Sequence, residues 1–566
     1  MKQHPRALAC ILVLAALLMC SGFAAGQDYL YIRSSTISEP PKIIESPVGS
    51  LGNIDFLDNP ALLRLDSSFM FLSNSYYLGS YSDISTSDIQ YCNGDFHPVG
   101  TVIGYSEMDG TYVTNNWGMD VGFAVEIASG LNMAFVFDYL YGEMRGESDS
   151  FTYTNMPEVA GRYFWAWSDR ADRFRSNTYA STLVFSYEPS ESLSLGAGFT
   201  YAFIDDDQVI RESGTFLHIF GGVPDIGINK IEETVSLKYH TLSPFIGVTY
   251  APSDRFSIAG SLALNNYFGS ISKEAEAAVP YAGATSYAED VDHGNVNGWG
   301  IGGDLKLSVG LSDTLSIPIV LSASYDTRDW SADGVAYGWM DSCGVWYFVR
   351  SEGLVGYESD IETWDMSAGA GIAYASDGFS CTFMPIYTHR EFSSDYSSFN
   401  RATGAYAPAW GPPAGDYRFT QTDEEVVDVL SFDIQVKKTF SDMLSGEFGL
   451  RYDYGWAKRE YDMYMISPYE FDVGNYLDAT NSGKDQFHDL TLTTKMSFIP
   501  MENLTIGLSG MVTIPLDSLD YDLSGSAVGM DPAAVNNYLY RTNGIGRDYK
   551  DSSWEYGGML ELTYEF

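Results

Sequence analysis

The amino-acid sequence predicts an all-β protein: a transmembrane antiparallel β-barrel of about 14–16 strands preceded by an N-terminal hatch segment. Three observations lead there. First, the C-terminal residues alternate, with Trp554, Tyr556, Leu560, Leu562, Tyr564 and Phe566 on one parity and Glu555, Glu561, Thr563 and Glu565 on the other. Only an extended strand separates such sets onto two faces. Second, the chain of 566 residues is 45% apolar, with 41 Tyr, 32 Phe and 11 Trp, yet beyond residue 19 the apolar side chains never gather into a long run. Apolar residues spread by alternation are what a lipid-facing barrel wall requires. Third, very short turns alternate with long polar stretches, the asymmetry of periplasmic turns and extracellular loops.

Residues 1–26 read as a secretory signal. Lys2, His4 and Arg6 precede an apolar run from Ala7 to Met19, followed by the small residues Ser21, Gly22, Ala24, Ala25 and Gly26. The run is about 13 residues, too short for a spanning helix, which needs about 20. Met19 before Cys20 argues against a lipobox.

Residues 27–66 form a segment of about forty residues before the first strand, long enough to enter a lumen that side chains alone cannot fill. Residues 67–566 then form the barrel. An opening strand is expected over residues 67–78. Turns are expected at 128–130, 188–191, 251–255, 312–314, 376–378, 441–443 and 500–503, each written in Pro, Ser, Asp, Asn or Gly. The strands flanking them alternate. Leu131, Met133, Phe135, Phe137, Tyr139 and Tyr141 oppose Asn132, Ala134, Val136 and Asp138, and Phe448, Leu450, Tyr452, Tyr454 and Trp456 oppose Glu447, Arg451 and Asp453. Seven turns with an opening and a final strand give sixteen strands. The polar stretches 142–176, 205–233, 331–361 and 391–425 are expected as extracellular loops, and residues 97–105 as a further strand or part of a folded first loop. Bare Phe566, with Tyr564, is expected at the periplasmic interface as the assembly signal for the barrel-insertion machinery.

The formal net charge of −44 excludes nucleic acid as a partner. Acids gather at Asp205-Asp206-Asp207, Glu289-Asp290 and Asp423-Glu424-Glu425. These read as a solvated, repulsive surface, or as loops binding divalent cations between neighbouring lipopolysaccharides. Cys92, Cys343 and Cys381 remain after the signal; their spacing suits no metal, and one disulfide among them is open. The histidines offer no catalytic pairing: His488-Asp489 point to opposite faces of a strand, His389 lies among Ser393 and Asp395 in ordinary loop composition, and nothing pairs with His240. No enzyme, no cofactor and no metal site is expected.

The triplet Asn59-Pro60-Ala61 shortly before the first strand, with hairpins written like residues 250–260 (Tyr-Ala-Pro-Ser-Asp-Arg-Phe-Ser-Ile-Ala-Gly), resembles the long-chain fatty-acid and aromatic-hydrocarbon transporters of the outer membrane, the FadL/TodX family. The resemblance implies a hatch gated at Asn59, Pro60 and Ala61, and passive uptake of hydrophobic molecules through a kink or lateral opening in the wall. Outer-membrane lipid and lipopolysaccharide are the implied surroundings; the oligomeric state stays open. Here the Gly-rich stretch before the triplet is reduced to residues 48–52, and the count is sixteen strands where the family has fourteen. Among residues expected to face the lumen, Val136, Leu140, Val320, Met511 and Met559 are apolar, whereas Glu447 and Arg451 are charged. Two alternatives therefore stand beside hydrophobic uptake: a water-filled diffusion porin, and a structural or interaction barrel presenting long surface loops.

Overall fold

A computed structural model describes residues 55–65, 67–92, 101–156, 162–220, 223–253, 255–281, 284–342, 345–401, 416–467, 475–517, 519–522, 524–531, 538–543, 548–551 and 554–566. The predicted signal peptide and the hatch residues 27–54 lie outside them.

The wall consists of β1 (Phe69–Cys92), β2 (Thr101–Ala128), β3 (Leu131–Met156), β4 (Arg162–Ser190), β5 (Leu193–Phe220), β6 (Val223–Ser253), β7 (Phe256–Tyr281), β8 (Ala284–Gly310), β9 (Leu315–Ser342), β10 (Val345–Ala370) continued as β11 (Ile372–Ser376), β12 (Phe379–Arg401), β13 (Asp416–Ser441), β14 (Leu444–Ser467), β15 (Asn475–Met501), β16 (Leu504–Asp517) and β21 (Trp554–Glu565). Between β16 and β21 the chain adds β17 (Leu519–Asp522), β18 (Ser524–Asp531), β19 (Tyr538–Asn543) and β20 (Asp548–Asp551). Counting β10 and β11 as one, sixteen antiparallel strands close on themselves, because β1 pairs with both β2 and β21. Each of the seven expected turns joins a pair of these strands. Gly130 (φ 71°) and Gly378 (φ 67°) supply the left-handed backbone that two of them need.

Where they are described, the polar stretches expected as loops are strand. β3 and β4 pair without a register break from Leu131↔Tyr187 to Met156↔Arg162, and β5 and β6 from Leu193↔Tyr250 to Phe220↔Val223. The acidic triplets 205–207 and 423–425 likewise lie within β5 and β13. β6 has 31 residues, about 100 Å of strand at 3.3 Å per residue, whereas crossing a bilayer takes about 10 residues. Above the membrane the outer face of a strand meets water. Backbone pairing holds the ladder there while the hydrophobic alternation that marks a strand in sequence is lost. The opening strand is likewise longer than expected, and residues 101–105 belong to β2. At the upper rim β18 pairs with β15 and β19 with β1, so these two replace β16 and β21 as the closing strands.

The outer face carries an apolar band. Leu183, Phe199, Ile246, Leu262, Leu321, Phe383, Phe448, Leu508 and Leu560 are all exposed. Aromatics bound it at the turn end, with Tyr187, Tyr250, Phe256, Tyr374, Phe440, Phe498 and Phe566 outward and exposed. At its upper edge Tyr139, Tyr179, Phe203, His240 and Phe268 are direct cross-strand partners forming one row, with ring centroids 4.6, 6.3, 5.0 and 5.2 Å apart in turn. Two aromatic girdles flanking an apolar band are the signature of a lipid-facing barrel. The chain end is tied into the ladder: the Phe566 amide donates to the Ser68 carbonyl (2.8 Å) and the Glu565 amide to that of Asn503 (2.9 Å).

Candidate functional site

Residues 55–65 hug the inner wall as a strap at the turn end. Two short 3-10 turns, Asp55–Leu57 and Pro60–Leu62, shape it. Asn59 caps the second turn by accepting from the Ala61 amide (3.0 Å), and its amide group donates to the carbonyls of Gly260 (3.1 Å) and Val248 (3.4 Å). Pro60 and Ala61 are buried against β5, where Gly196 makes room: a Cβ there would stand 2.2 Å from the Pro60 carbonyl carbon. Gly247 does the same for Asn59, whose Oδ1 would lie 1.9 Å from an added Cβ. Further along, the Leu63 carbonyl accepts from the Asn132 amide (3.0 Å) and the Ser186 hydroxyl. The strap therefore passes from the β6–β7 seam across β5 and β4 to β3 and into β1. Phe56 and Leu63 bury themselves with Phe69, Phe71, Val136, Val184 and Phe245.

The expected lumen-facing residues all point inward but do not meet. Val136 is wholly buried beneath the strap, so it is core. Leu140, higher on β3, is 39% exposed to the lumen. Val320 packs with Met384 and Ile386 on β12. Glu447 pairs with Lys437 (2.7 Å), and Arg451 with Asp453 (2.9 Å) and the Ser431 hydroxyl (2.9 Å). Met511 on β16 and Met559 on β21 stand one register step apart, near the buried pair of Lys495 and Glu561 (2.8 Å). The β13–β16 side of the lumen is thus charged.

The opposite side, in the extracellular half, is apolar. Ile204, Tyr239, Val296 and Trp330 occupy one row across β5, β6, β8 and β9, with Gly269 of β7 completing it. Leu237, Ile271 and Ala332 stand in the row above. Together with Ala202 and Val235 they form one buried cluster, flanked by Tyr267 and Tyr396. Sequence reasoning misses it because its members come from five separate strands and meet only through the registers between them. The signal was present as alternating Val235, Leu237 and Tyr239, with Ile204 across the turn.

Next to the charged side the wall is interrupted. The strand breaks at Gly371 between β10 and β11, opposite Pro318 of β9 and beside Pro385 of β12. Two prolines remove two ladder donors, and one bond from the Gly371 amide to the Pro318 carbonyl (2.9 Å) bridges the gap. Val320, Met384 and Ile386 line its inner side.

The histidines find partners that the sequence did not disclose. His240 Nδ1 bonds the Tyr201 hydroxyl (2.7 Å), which corrects the expectation that nothing pairs with it. His488 bonds Tyr452 (2.5 Å), and His389 contacts Asp428 (2.8 Å) and Glu391 (3.1 Å) on the outer face. Cys381 is a free thiol; the Cys92 side chain and Cys343 lie outside the described residues, as do the side chains of Glu289 and Asp290. Among the described residues no group of three or more His, Cys, Asp or Glu is placed to hold a metal ion.

No protein-family model matches the chain, and neither does any curated protein sequence. Among solved structures it is similar to a FadL homologue of Pseudomonas aeruginosa, with 12% identity over 92% of this chain and 95% of that one and a TM-score of 0.36. The toluene transporter TodX of Pseudomonas putida gives 13% identity, 91% and 94% coverage and a TM-score of 0.30. The ferric yersiniabactin uptake receptor FyuA of Yersinia pestis gives 10%, 87%, 80% and 0.25. Likeness of this degree is to barrels as such and carries no argument about what passes through them.

Proposed function

We propose that this chain is an outer-membrane channel for passive uptake of hydrophobic small molecules, exported with residues 1–26 as a cleaved signal and inserted with Tyr564 and Phe566 as assembly signal. Residues 27–66 are the hatch, and Asn59, Pro60 and Ala61 fasten its end to the wall. The observation that carries the reading is the apolar cluster of β5–β9 on the inner face of the extracellular half. A water-filled pore gains nothing from Leu237, Ile271, Val296 and Trp330 packed together on its inner face, whereas a hydrophobic solute that parts these side chains finds apolar contact there. The seam at Gly371, lined by Val320, Met384 and Ile386, is the exit we assign, since missing ladder donors make it the weakest lateral joint nearby. No chemistry is assigned to the channel itself.

The charged side formed by Lys437, Glu447, Arg451, Asp453, Lys495 and Glu561 favours a second reading, a porin for polar solutes. Planar-bilayer conductance separates the two. The intact protein should conduct weakly, and deleting residues 27–66 should open it. Binding of an alkyl photoprobe should map to β5–β9. A large, steady conductance in the intact protein with no probe labelling would establish the porin instead.

A further inference from the structure

The outer wall is electrostatically one-sided just above the upper aromatic row. On β3 and β4, Glu143 lies directly opposite Arg175, two register steps above the stacked Tyr139 and Tyr179, and Arg145 lies opposite Arg173, three steps above them. Glu143 Oε2 accepts from Arg145 (2.9 Å), and its Oε1 lies 2.5 Å from Arg173 and 3.6 Å from Arg175. Burial pushes the Glu143 carboxyl up, but the arginines outweigh it and hold it below the usual carboxylate range. Three guanidiniums thus surround one carboxylate. Their side chains are 67%, 41% and 43% exposed while that of Glu143 is 8% exposed, so the surplus charge faces outward. On the flank, Asp205 is engaged by Lys238 (3.4 Å), and Asp207 stands opposite Arg175. Across the barrel the corresponding positions are acidic: Glu362, Glu391 and Asp428, with Asp329, Asp360 and Asp395 aligned across β9, β10 and β12.

We propose that Arg145, Arg173 and Arg175 bind the phosphate of an outer-leaflet glycolipid of the lipid A type, whose acyl chains lie down the apolar band past Tyr179 and Leu183. The inference rests on the outer-membrane reading. Three guanidiniums gathered round one buried carboxylate are out of keeping with a chain of net charge −44, and their place is informative. They sit on the lipid-facing parity at the height where acyl chains end, the level of a lipid's phosphates. Guanidiniums bind phosphate through paired, charge-assisted hydrogen bonds. Free phosphate would have no need of the apolar wall below.

The test uses the full-length protein, freed of lipid in detergent, with two probes: bisphosphorylated lipid A and the same lipid chemically dephosphorylated. Native mass spectrometry should show the phosphorylated form bound roughly tenfold more tightly, since charge-assisted contacts dominate. The variant carrying Arg145→Gln and Arg173→Gln should lose that preference, and Lys458→Gln, on the outer face of β14, should keep it. Should the double variant fail to show heat-modifiable migration, Arg145→Gln alone, altering the most exposed of the three, should lower the preference. Equal binding of the two lipids, an equal loss in Lys458→Gln, or displacement of the lipid by millimolar inorganic phosphate would each overturn the site. Failure of the wild type to fold into bilayers would instead overturn the outer-membrane reading.

Discussion

Leu183 and Trp167 stand on the same outward face of β4, both exposed, yet in different surroundings. Leu183 lies in the apolar band between the two aromatic girdles. Trp167 lies high in the extension, next to Asp169 on its own face of β4, with Asp149 opposite Asp169 on β3. The lower region is dictated by lipid: it must show apolar side chains outside and can satisfy its backbone only through a closed ladder. Water relieves the upper region of the first demand and leaves only the ladder. The two regions thus share one backbone architecture and follow different side-chain rules. The lower one specifies assembly, and the upper one, with its inner apolar cluster and outer charge asymmetry, is free to carry recognition.

The largest effect should come from placing charge in each region. Leu183→Arg should destabilise the folded barrel by about 2–4 kcal/mol, the cost of a cation on the lipid face near mid-bilayer. Trp167→Arg on the same strand should cost about 1 kcal/mol or less, through its lost contact with Phe151 (5.5 Å). Urea titration of protein folded into vesicles checks both, and equal losses would erase the distinction. Next in size is the strap. Asn59→Ala removes the cap and both wall bonds, and should weaken docking by about 1–2 kcal/mol. Single-channel conductance should then rise or flicker while heat-modifiable migration persists; steady wild-type conductance would detach the strap from gating.

A comparable loss is expected inside the extension, confined to solute. Leu237→Asn should weaken binding of an apolar fluorescent probe by about tenfold, near 1.4 kcal/mol, while the variant, though less stable for its buried amide, still shows heat-modifiable migration. The smallest effect is a pH dependence. Burial, then Asp329, and after it Asp395 and Glu358 raise the Asp360 carboxyl above its ordinary value. The folded state then holds a proton that the unfolded state has released, so stability falls as pH rises through the raised value and is regained below it. Asp360→Asn should stabilise the protein slightly at neutral pH, and the gain should vanish below pH ~4. A gain that persists in acid would point to a cause other than the charge.

Legibility followed the same division. The final strand, the alternation in β3 and β14, and the seven turns could be read directly, because period two and turn chemistry are properties of consecutive residues. Parity is equally local: Leu140, Glu447 and Met511 stand on the parity opposite to the exposed apolar band of their strands. The same rule misled at Val136, whose inward side chain is sealed by the strap, and in stretches such as 205–233, where polar residues on both faces read as loop.

By itself the sequence determined the barrel class, a count of fourteen to sixteen strands, the membrane band and which parity meets lipid, since each follows from neighbours along the chain under a fixed solvent rule. Tertiary structure alone decided the height of the wall, the route of the strap past Gly196 and Gly247, the joining of Ile204 to Trp330 across five strands, and the pairing of His389 with Asp428. Those depend on registers between strands, and a register belongs to a pair of distant segments, in which neither strand states its partner.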